Sequence, residues 1–166
     1  MTADASGSAP KKVRSAERVR MYLEEHGLAD EIVTYEQSTK TAQMAADAMG
    51  CELGQIVKSL VFVAGDKPLV ALVAGDRRGD ADAIAKLMGE TEAHFADADT
   101  VRSATGFAIG GVSPFDLPPD LPVFADDSLE RFEIVYPAAG TPSSMVRIPL
   151  SHLLDLSGAH LARISQ

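Results

Sequence analysis

Gly54-Gln55-Ile56-Val57-Lys58-Ser59-Leu60-Val61-Phe62-Val63-Ala64-Gly65-Asp66-Lys67-Pro68-Leu69-Val70-Ala71-Leu72-Val73-Ala74-Gly75 is the stretch on which the fold class of this chain turns. Two β-rich apolar runs meet at Gly65-Asp66-Lys67, the pattern of a hairpin in the middle of a sheet. Strand side chains alternate faces, so Ile56, Lys58, Leu60 and Phe62 share one face and Val57, Ser59, Val61 and Val63 the other. Lys58 is the anomaly in the first row. A buried ammonium must reach water, find an anion or lose its proton more easily, because leaving it unpaired is costly. The pattern leaves two readings open: a functional lysine, or a residue near the strand start whose tip snorkels to solvent, which is the commoner case.

Working outward, residues 1–12 read as a disordered tail, because they are small and polar with little to bury. Residues 13–166 read as a single domain. Ala16, Val19 and Leu23 form a helical stripe from Ser15 to Glu25, closed by Gly27. Glu31 to Glu36 is a strand, and Ser38 or Thr39 is placed to cap a helix over Thr41–Met49 ended by Gly50. After the hairpin, Asp80 caps a helix carrying Ile84, Leu87 and Met88, Glu92–Phe95 is a short strand, and Asp97 or Asp99 opens another helix. Phe107 to Phe115 is expected to be a strand running into a glycine bend. The proline-rich Leu117–Pro122 cannot be helix or inner strand. Further strands are expected at Val123–Ala125, Glu133–Tyr136, Met145–Ile148 and Leu161–Ile164, and a helix over Leu150–Leu156. Hairpins mixed with crossovers imply an α+β domain, a curved mixed sheet forming a partial barrel with helices packed around it.

Composition excludes several functions. The chain has 166 residues, enough to bury about two-thirds of its surface in one domain. Cys51 is the only cysteine, which rules out a disulfide framework or a cysteine-based zinc site and reads as a buried structural thiol. His26, His94, His152 and His160 lack metal-type spacing, so no metal and no cofactor are expected. Asp76, Asp80 and Asp82 cluster without the terminal glutamate of a calcium loop and read as turn and cap residues. No apolar run approaches the roughly 20 residues needed to span a bilayer, and the N-terminus has no signal-type apolar core, so a soluble, cytoplasmic protein with no membrane partner is expected. A net charge of −9 argues against a broad DNA-binding surface, although Lys11, Lys12, Arg14, Arg18 and Arg20 crowd one segment.

Besides Lys58, three segments carry chemical potential. Gly110-Gly111-Val112-Ser113-Pro114 has adjacent glycines that admit positive φ and let a ligand approach main-chain N–H groups, or simply make a sharp turn. It is neither a phosphate-binding P-loop nor a Rossmann turn. Gly140-Thr141-Pro142-Ser143-Ser144 places hydroxyls between two strands, as a pocket wall or as an ordinary turn. Tyr35 sits on a strand, where tyrosine is more often core or rim than catalytic. No Gly-x-Ser-x-Gly occurs for a serine nucleophile.

Taken together, Thr41-Ala42-Gln43-x-Ala45-Ala46, Gln55-Ile56-Val57-Lys58-Ser59-Leu60-Val61-Phe62 and Gly110-Gly111-Val112-Ser113-Pro114 resemble the YbaK/ProX family, free-standing relatives of the editing domain of bacterial prolyl-tRNA synthetase. The resemblance runs from about Arg18 to the C-terminus. It implies trans-editing: hydrolysis of the ester joining a wrong amino acid to the 3′ end of a tRNA. Lys58 matches the family's essential lysine, Gly110–Pro114 the loop that helps hold the aminoacyl group, and Tyr35 a tyrosine of the pocket in some relatives. The implied partner is the acceptor end of an aminoacyl-tRNA, with a synthetase or elongation factor supplying further grip. Gly140, Thr141, Ser143 and Ser144 depart from the relatives' patterns, and their hydroxyls point to small or polar amino acids such as Ser, Thr, Ala or Cys. The alternative is a non-catalytic module that binds an amino acid, a nucleotide or a tRNA end in the same pocket.

Overall fold

The computed structural model describes residues 11–34, 41–141 and 143–166. The segment read as a tail, residues 1–10 of it, lies outside these, as does Tyr35. Helix α1 spans Lys11–Glu25 and so begins earlier than the apolar stripe alone indicated. Its Val19 and Leu23 are fully buried, and Gly27, at φ +73°, ends it. Strand β1 (Ile32–Thr34) precedes α2 (Ala42–Met49). The α2 cap is Thr41, whose hydroxyl accepts the Met44 N–H at 3.1 Å, rather than Ser38 or Thr39. An N-cap side chain accepts from the second or third N–H of its helix, and Thr41 takes the third.

The central hairpin forms as its sequence requires. Strand β2 (Ile56–Ala64) and β3 (Lys67–Ala74) pair antiparallel from Val57↔Ala74 to Ala64↔Lys67, leaving Gly65 and Asp66 as a two-residue loop. Asp80 caps α3 (Ala81–Leu87), β4 covers Ala93–Phe95, and Asp97 caps α4 (Ala98–Thr105). Residues 107–115 are not a strand. The Gly111 N–H closes a turn on the Ala108 carbonyl at 2.9 Å and Gly110 has φ +85°, so the chain doubles back, while Phe107 and Phe115 anchor it in the core.

Strand β5 (Val123–Asp126) follows, then one 3-10 turn and β6 (Ile134–Pro137). The expected strand over Met145–Ile148 is divided. β7 (Ser144–Val146) pairs with β1, and β8 (Ile148–Pro149) pairs with β6. The break falls at exposed Arg147, whose N–H donates to the Glu31 carbonyl. Helix α5 (Leu150–Ser157) and β9 (His160–Ala162) complete the chain.

The main sheet runs β8-β6-β2-β3-β5-β9, with β4 also on β2. It is mixed: β2 meets β3 and β4 antiparallel but β6 parallel. The curled sheet has helices on both faces. Val57, Val61, Val70 and Leu72 face a core shared with α1, α4 and α5, whereas Phe62, Leu69, Ala71 and Val73 pack on Ile84 of α3 and on Ile164. Helix α2 packs separately, through Ala45 and Ala46, on Ile56 and Met145.

Asp126 ties the end of β5 to the C-terminus. Fully buried, it accepts hydrogen bonds from the Ser128 N–H and hydroxyl, the Ile164 N–H at 2.9 Å and the Ser165 hydroxyl at 2.7 Å. Burial raises its pKa, but the hydrogen bonds from Ser128, Ser165 and Ile164 outweigh that and hold the carboxyl below the usual 3.8. A depressed folded-state pKa means that the stabilisation is complete above the unfolded-state value and is lost as pH falls through the folded-state one. Asp126→Ala leaves several buried donors unpaired and is expected to cost about 3 kcal/mol in denaturant unfolding at neutral pH, with a smaller difference from wild type in acid. An equal difference at both pH values would contradict this.

Candidate active site

The three stretches singled out in the sequence meet at the β2 edge. A cleft of about 290 Å³ is lined by Thr41, Ala42 and Ala45 of the α2 end, by Ile56 to Leu60 of β2, and by Gly110, Val112, Ala138, Thr141 and Met145. Its walls are mostly apolar, with Lys58, Ser59, Thr41 and Thr141 supplying polar atoms.

Lys58 is half-buried among apolar neighbours, and its Nζ donates to the Arg77 carbonyl at 2.5 Å. An ammonium has three donors, and among the described residues the Arg77 carbonyl takes one of them, which leaves two for a ligand. Burial pushes the Lys58 pKa down; Asp76 opposes this and Arg78 adds to it. Asp76 does not neutralise Lys58 directly. Its two carboxylate oxygens take a bidentate pair from Arg131 at 2.9 and 2.8 Å, which holds its own pKa down. The lysine therefore keeps an unspent positive charge at the cleft wall.

Of the glycine loop, Gly110 and Val112 line the cleft. Gly111 contributes no free N–H, because that group closes the turn on Ala108. Ser113 is fully buried, and its hydroxyl donates to the Ala138 carbonyl at 2.8 Å, so it staples the loop to the segment after β6. Pro114 lies on another groove, with Tyr22 and Leu156. Arg18 fixes the same loop from α1. It pairs with Asp116 at 2.9 Å, donates to the Asp116 and Thr105 carbonyls, and lies 4.4 Å from the Phe107 ring centre. This member of the basic N-terminal segment is thus committed inside the protein.

Among the described residues of the hydroxyl loop, only Thr141 lines the cleft. Its hydroxyl shares a 2.7 Å hydrogen bond with that of buried Ser144 and accepts the Ser143 N–H at 3.2 Å. Gly140, at φ +96°, packs so closely on α1 that an added Cβ would lie 2.9 Å from the Ser15 carbonyl oxygen. Its role is to seat the loop. Cys51, expected to be a buried thiol, is only half-buried, outside the cleft lining, and burial raises its thiol pKa.

Sequence reasoning passed over Thr41, Ala45, Ile56, Ala138, Met145 and Ser59 as lining residues. For Ser59 a signal existed: it is the one hydroxyl in the row Val57, Ser59, Val61, Val63. Ala45, Ile56, Ala138 and Met145 are apolar and resemble core, and Thr41 reads as the start of a helix.

The aminoacyl-tRNA editing domain family model matches residues 36–156. The protein YwhH of Bacillus subtilis (strain 168) is 33% identical over 144 residues, 86% of this chain and 91% of that one. The multifunctional Ser/Thr-tRNA deacylase ProXp-y of Escherichia coli (strain K12) is 31% identical over 166 residues, covering 97% and 96% of the two chains. A crystal structure described as a trans-editing enzyme for prolyl tRNA synthetase superposes with a TM-score of 0.83 at 40% identity, covering 92% of this chain and 97% of that one.

The Lys58 environment can be checked without a substrate. Burial lowers its pKa whereas the pairing of exposed Lys67 with Glu90 raises that of Lys67. In an NMR titration of the lysine side chains, Lys58 is expected to lose its proton at lower pH than Lys67. The reverse order would contradict the burial argument.

Proposed function

This chain belongs to the aminoacyl-tRNA editing domain family, and from that premise we propose that it is a trans-editing deacylase that frees tRNA from a small or polar amino acid, of the Ser, Thr, Ala or Cys class. The observation that carries the reading is the convergence of Lys58, Gly110 and Thr141 on one narrow cleft. A volume of about 290 Å³ is at the lower end for ligand sites and favours a small aminoacyl group with its ribose over a bulky side chain.

The reaction adds water to the ester carbonyl carbon and breaks the bond from that carbon to the ribose oxygen. The ribose oxygen takes up a proton, and the free amino acid leaves. An aminoacyl ester is already activated, so positioned water and preorganised charge suffice without a covalent intermediate. Lys58 then acts by charge: its ammonium faces the negative charge that develops on the substrate, at a cleft wall that is mostly apolar. The neighbouring ribose hydroxyl is available to assist. Thr141, already bonded to Ser143 and Ser144, serves as a wall and hydrogen-bonding group rather than a nucleophile. A wall of Ala45, Ile56, Val112 and Met145 suits a short side chain, and methylene differences there are worth only about 1–3 kcal/mol each.

The net charge of −9 favours a tRNA contact confined to the acceptor end, and delivery by a synthetase or an elongation factor, in the cytoplasm, belongs to the same reading. The test is a panel of mischarged tRNAs, each followed by release of its amino acid. Rapid hydrolysis is expected for one or a few of seryl-, threonyl-, alanyl- and cysteinyl-tRNA, and slow hydrolysis for large aromatic ones. Binding of an amino acid or nucleotide with no turnover of any charged tRNA would replace the enzyme with a binding module.

A further inference from the structure

The Gly75 N–H donates to the Ile56 carbonyl at 2.8 Å, and this bond sets the phase of the β2–β3 ladder. In an antiparallel pair, residues that exchange both bonds with the partner alternate with residues that turn both groups away. Given the register Lys58↔Val73, Ser59↔Leu72 and Leu60↔Ala71, Lys58 and Leu60 bond to β3, while Val57, Ser59, Val61 and Val63 turn their N–H and C=O to the opposite edge. On that edge β6 pairs with Ile56 and Val57. Further along, the Ala96 N–H donates to the Val61 carbonyl at 3.0 Å, and β4 pairs with Phe62 to Ala64. Ser59 falls between the two, opposite neither. The carbonyl that would continue the β6 ladder, that of Ala138, accepts the Ser113 hydroxyl instead.

A second observation marks the same residue. The Ser59 hydroxyl is buried, yet no described group bonds to it, the sole side-chain atom of which this holds among the described residues. Ser59 lines the cleft beside Lys58. Buried polar groups without partners are rare and call for a reason. Among the described residues, a sheet interrupted at one residue, inside a cleft, leaves an open place for one residue of strand.

We propose that the main-chain N–H and C=O of Ser59 bind the aminoacyl group, which docks on the open edge of β2 as a single added residue of β-strand. This rests on the deacylase reading of the cleft. The α-ammonium donates to the Ser59 carbonyl, and the ester carbonyl accepts from the Ser59 N–H. An amino acid ester presents a donor and an acceptor spaced as a strand residue presents them, so one main-chain pair reads what all amino acids share. Choice among amino acids then falls to the walls, Thr141 included. The Ser59 N–H also meets the carbonyl oxygen as it gains negative charge during water attack, a role that the Gly111 N–H, committed to Ala108, is not free to take.

Amide hydrogen exchange on the full chain tests this. In the free protein the Ser59 amide is expected to exchange roughly a hundredfold faster than those of Lys58 and Leu60, which are held by β3. Saturation with 3′-(L-alanyl)amino-3′-deoxyadenosine, which cannot be hydrolysed as an ester, is expected to slow it at least about tenfold. The matching propionyl compound, lacking the ammonium, is expected to bind about tenfold more weakly, the loss of one charged hydrogen bond. A Ser59 amide as protected as its neighbours in the free protein, or unchanged by the alanyl compound, would overturn the proposal. Deacylation that requires Lys58 while the Ser59 amide ignores the analogue would leave the enzymatic reading standing and end this one.

Discussion

The pairing of β2 with β3 is the constraint on which everything else in this protein rests. It is the longest ladder in the sheet, running from Val57↔Ala74 to Ala64↔Lys67, and it places alternate residues of one strand in two different cores. A register shift of one residue would exchange those faces, turning Val57 and Val61 towards the core of α3 and Lys58 and Phe62 towards that of α1, α4 and α5. The apolar rows on both faces therefore hold Lys58 where it is. The same pairing puts one edge of β2 at the disposal of β6 and β4, which take its two ends and leave its middle to the cleft.

The surroundings of the cleft are built to keep it in place rather than to react. Ser113 is spent on the Ala138 carbonyl, Arg18 on Asp116 and Thr105, Arg131 on Asp76, and Gly140 on close contact with α1. Ser113, Arg18 and Gly140 hold the loops beside the cleft, and the Arg131 pair keeps Asp76 from neutralising Lys58. Among the described residues the polar groups left on the cleft wall are a short list: the Lys58 ammonium, with one donor given to the Arg77 carbonyl, the polar groups of Ser59, and the hydroxyls of Thr41 and Thr141, which are already in local hydrogen bonds. A site of that composition suits a substrate whose reactivity is built in, as it is in an aminoacyl ester.

Much of this was readable before any coordinates. The hairpin followed from two apolar β-rich runs around Gly65-Asp66, and the caps at Asp80 and Asp97 from acidic residues just ahead of helical stripes. Lys58 stood out because a charge broke an apolar row. Local chemistry was silent where tertiary contacts decide. Phe107 to Phe115 has strand-like composition, but a turn at Ala108–Gly111 and two buried phenylalanines make it a loop. Met145 to Ile148 reads as one strand and is shared between two sheets, since only the partners β1 and β6 determine where it divides. Within the glycine and hydroxyl loops, the sequence could not separate Gly110, Val112 and Thr141, which line the cleft, from Ser113, Ser144 and Gly140, which hold it together. That distinction depends on which way each side chain turns, and periodicity does not extend into loops. Tyr35 lies outside the described residues.

The central claim is that Lys58 is present for chemistry and not for folding. Its lowered pKa means that the fold disfavours its charge, so an apolar side chain of similar length is no worse a tenant of that position. Single-turnover deacylation by Lys58→Met, measured beside its thermal unfolding on the tRNA that wild type hydrolyses fastest, tests this directly. The account predicts an unfolding midpoint equal to or above that of wild type and a loss of roughly a hundredfold or more in rate. A variant that unfolds early, or one that hydrolyses the ester at the wild-type rate with its fold intact, would contradict it.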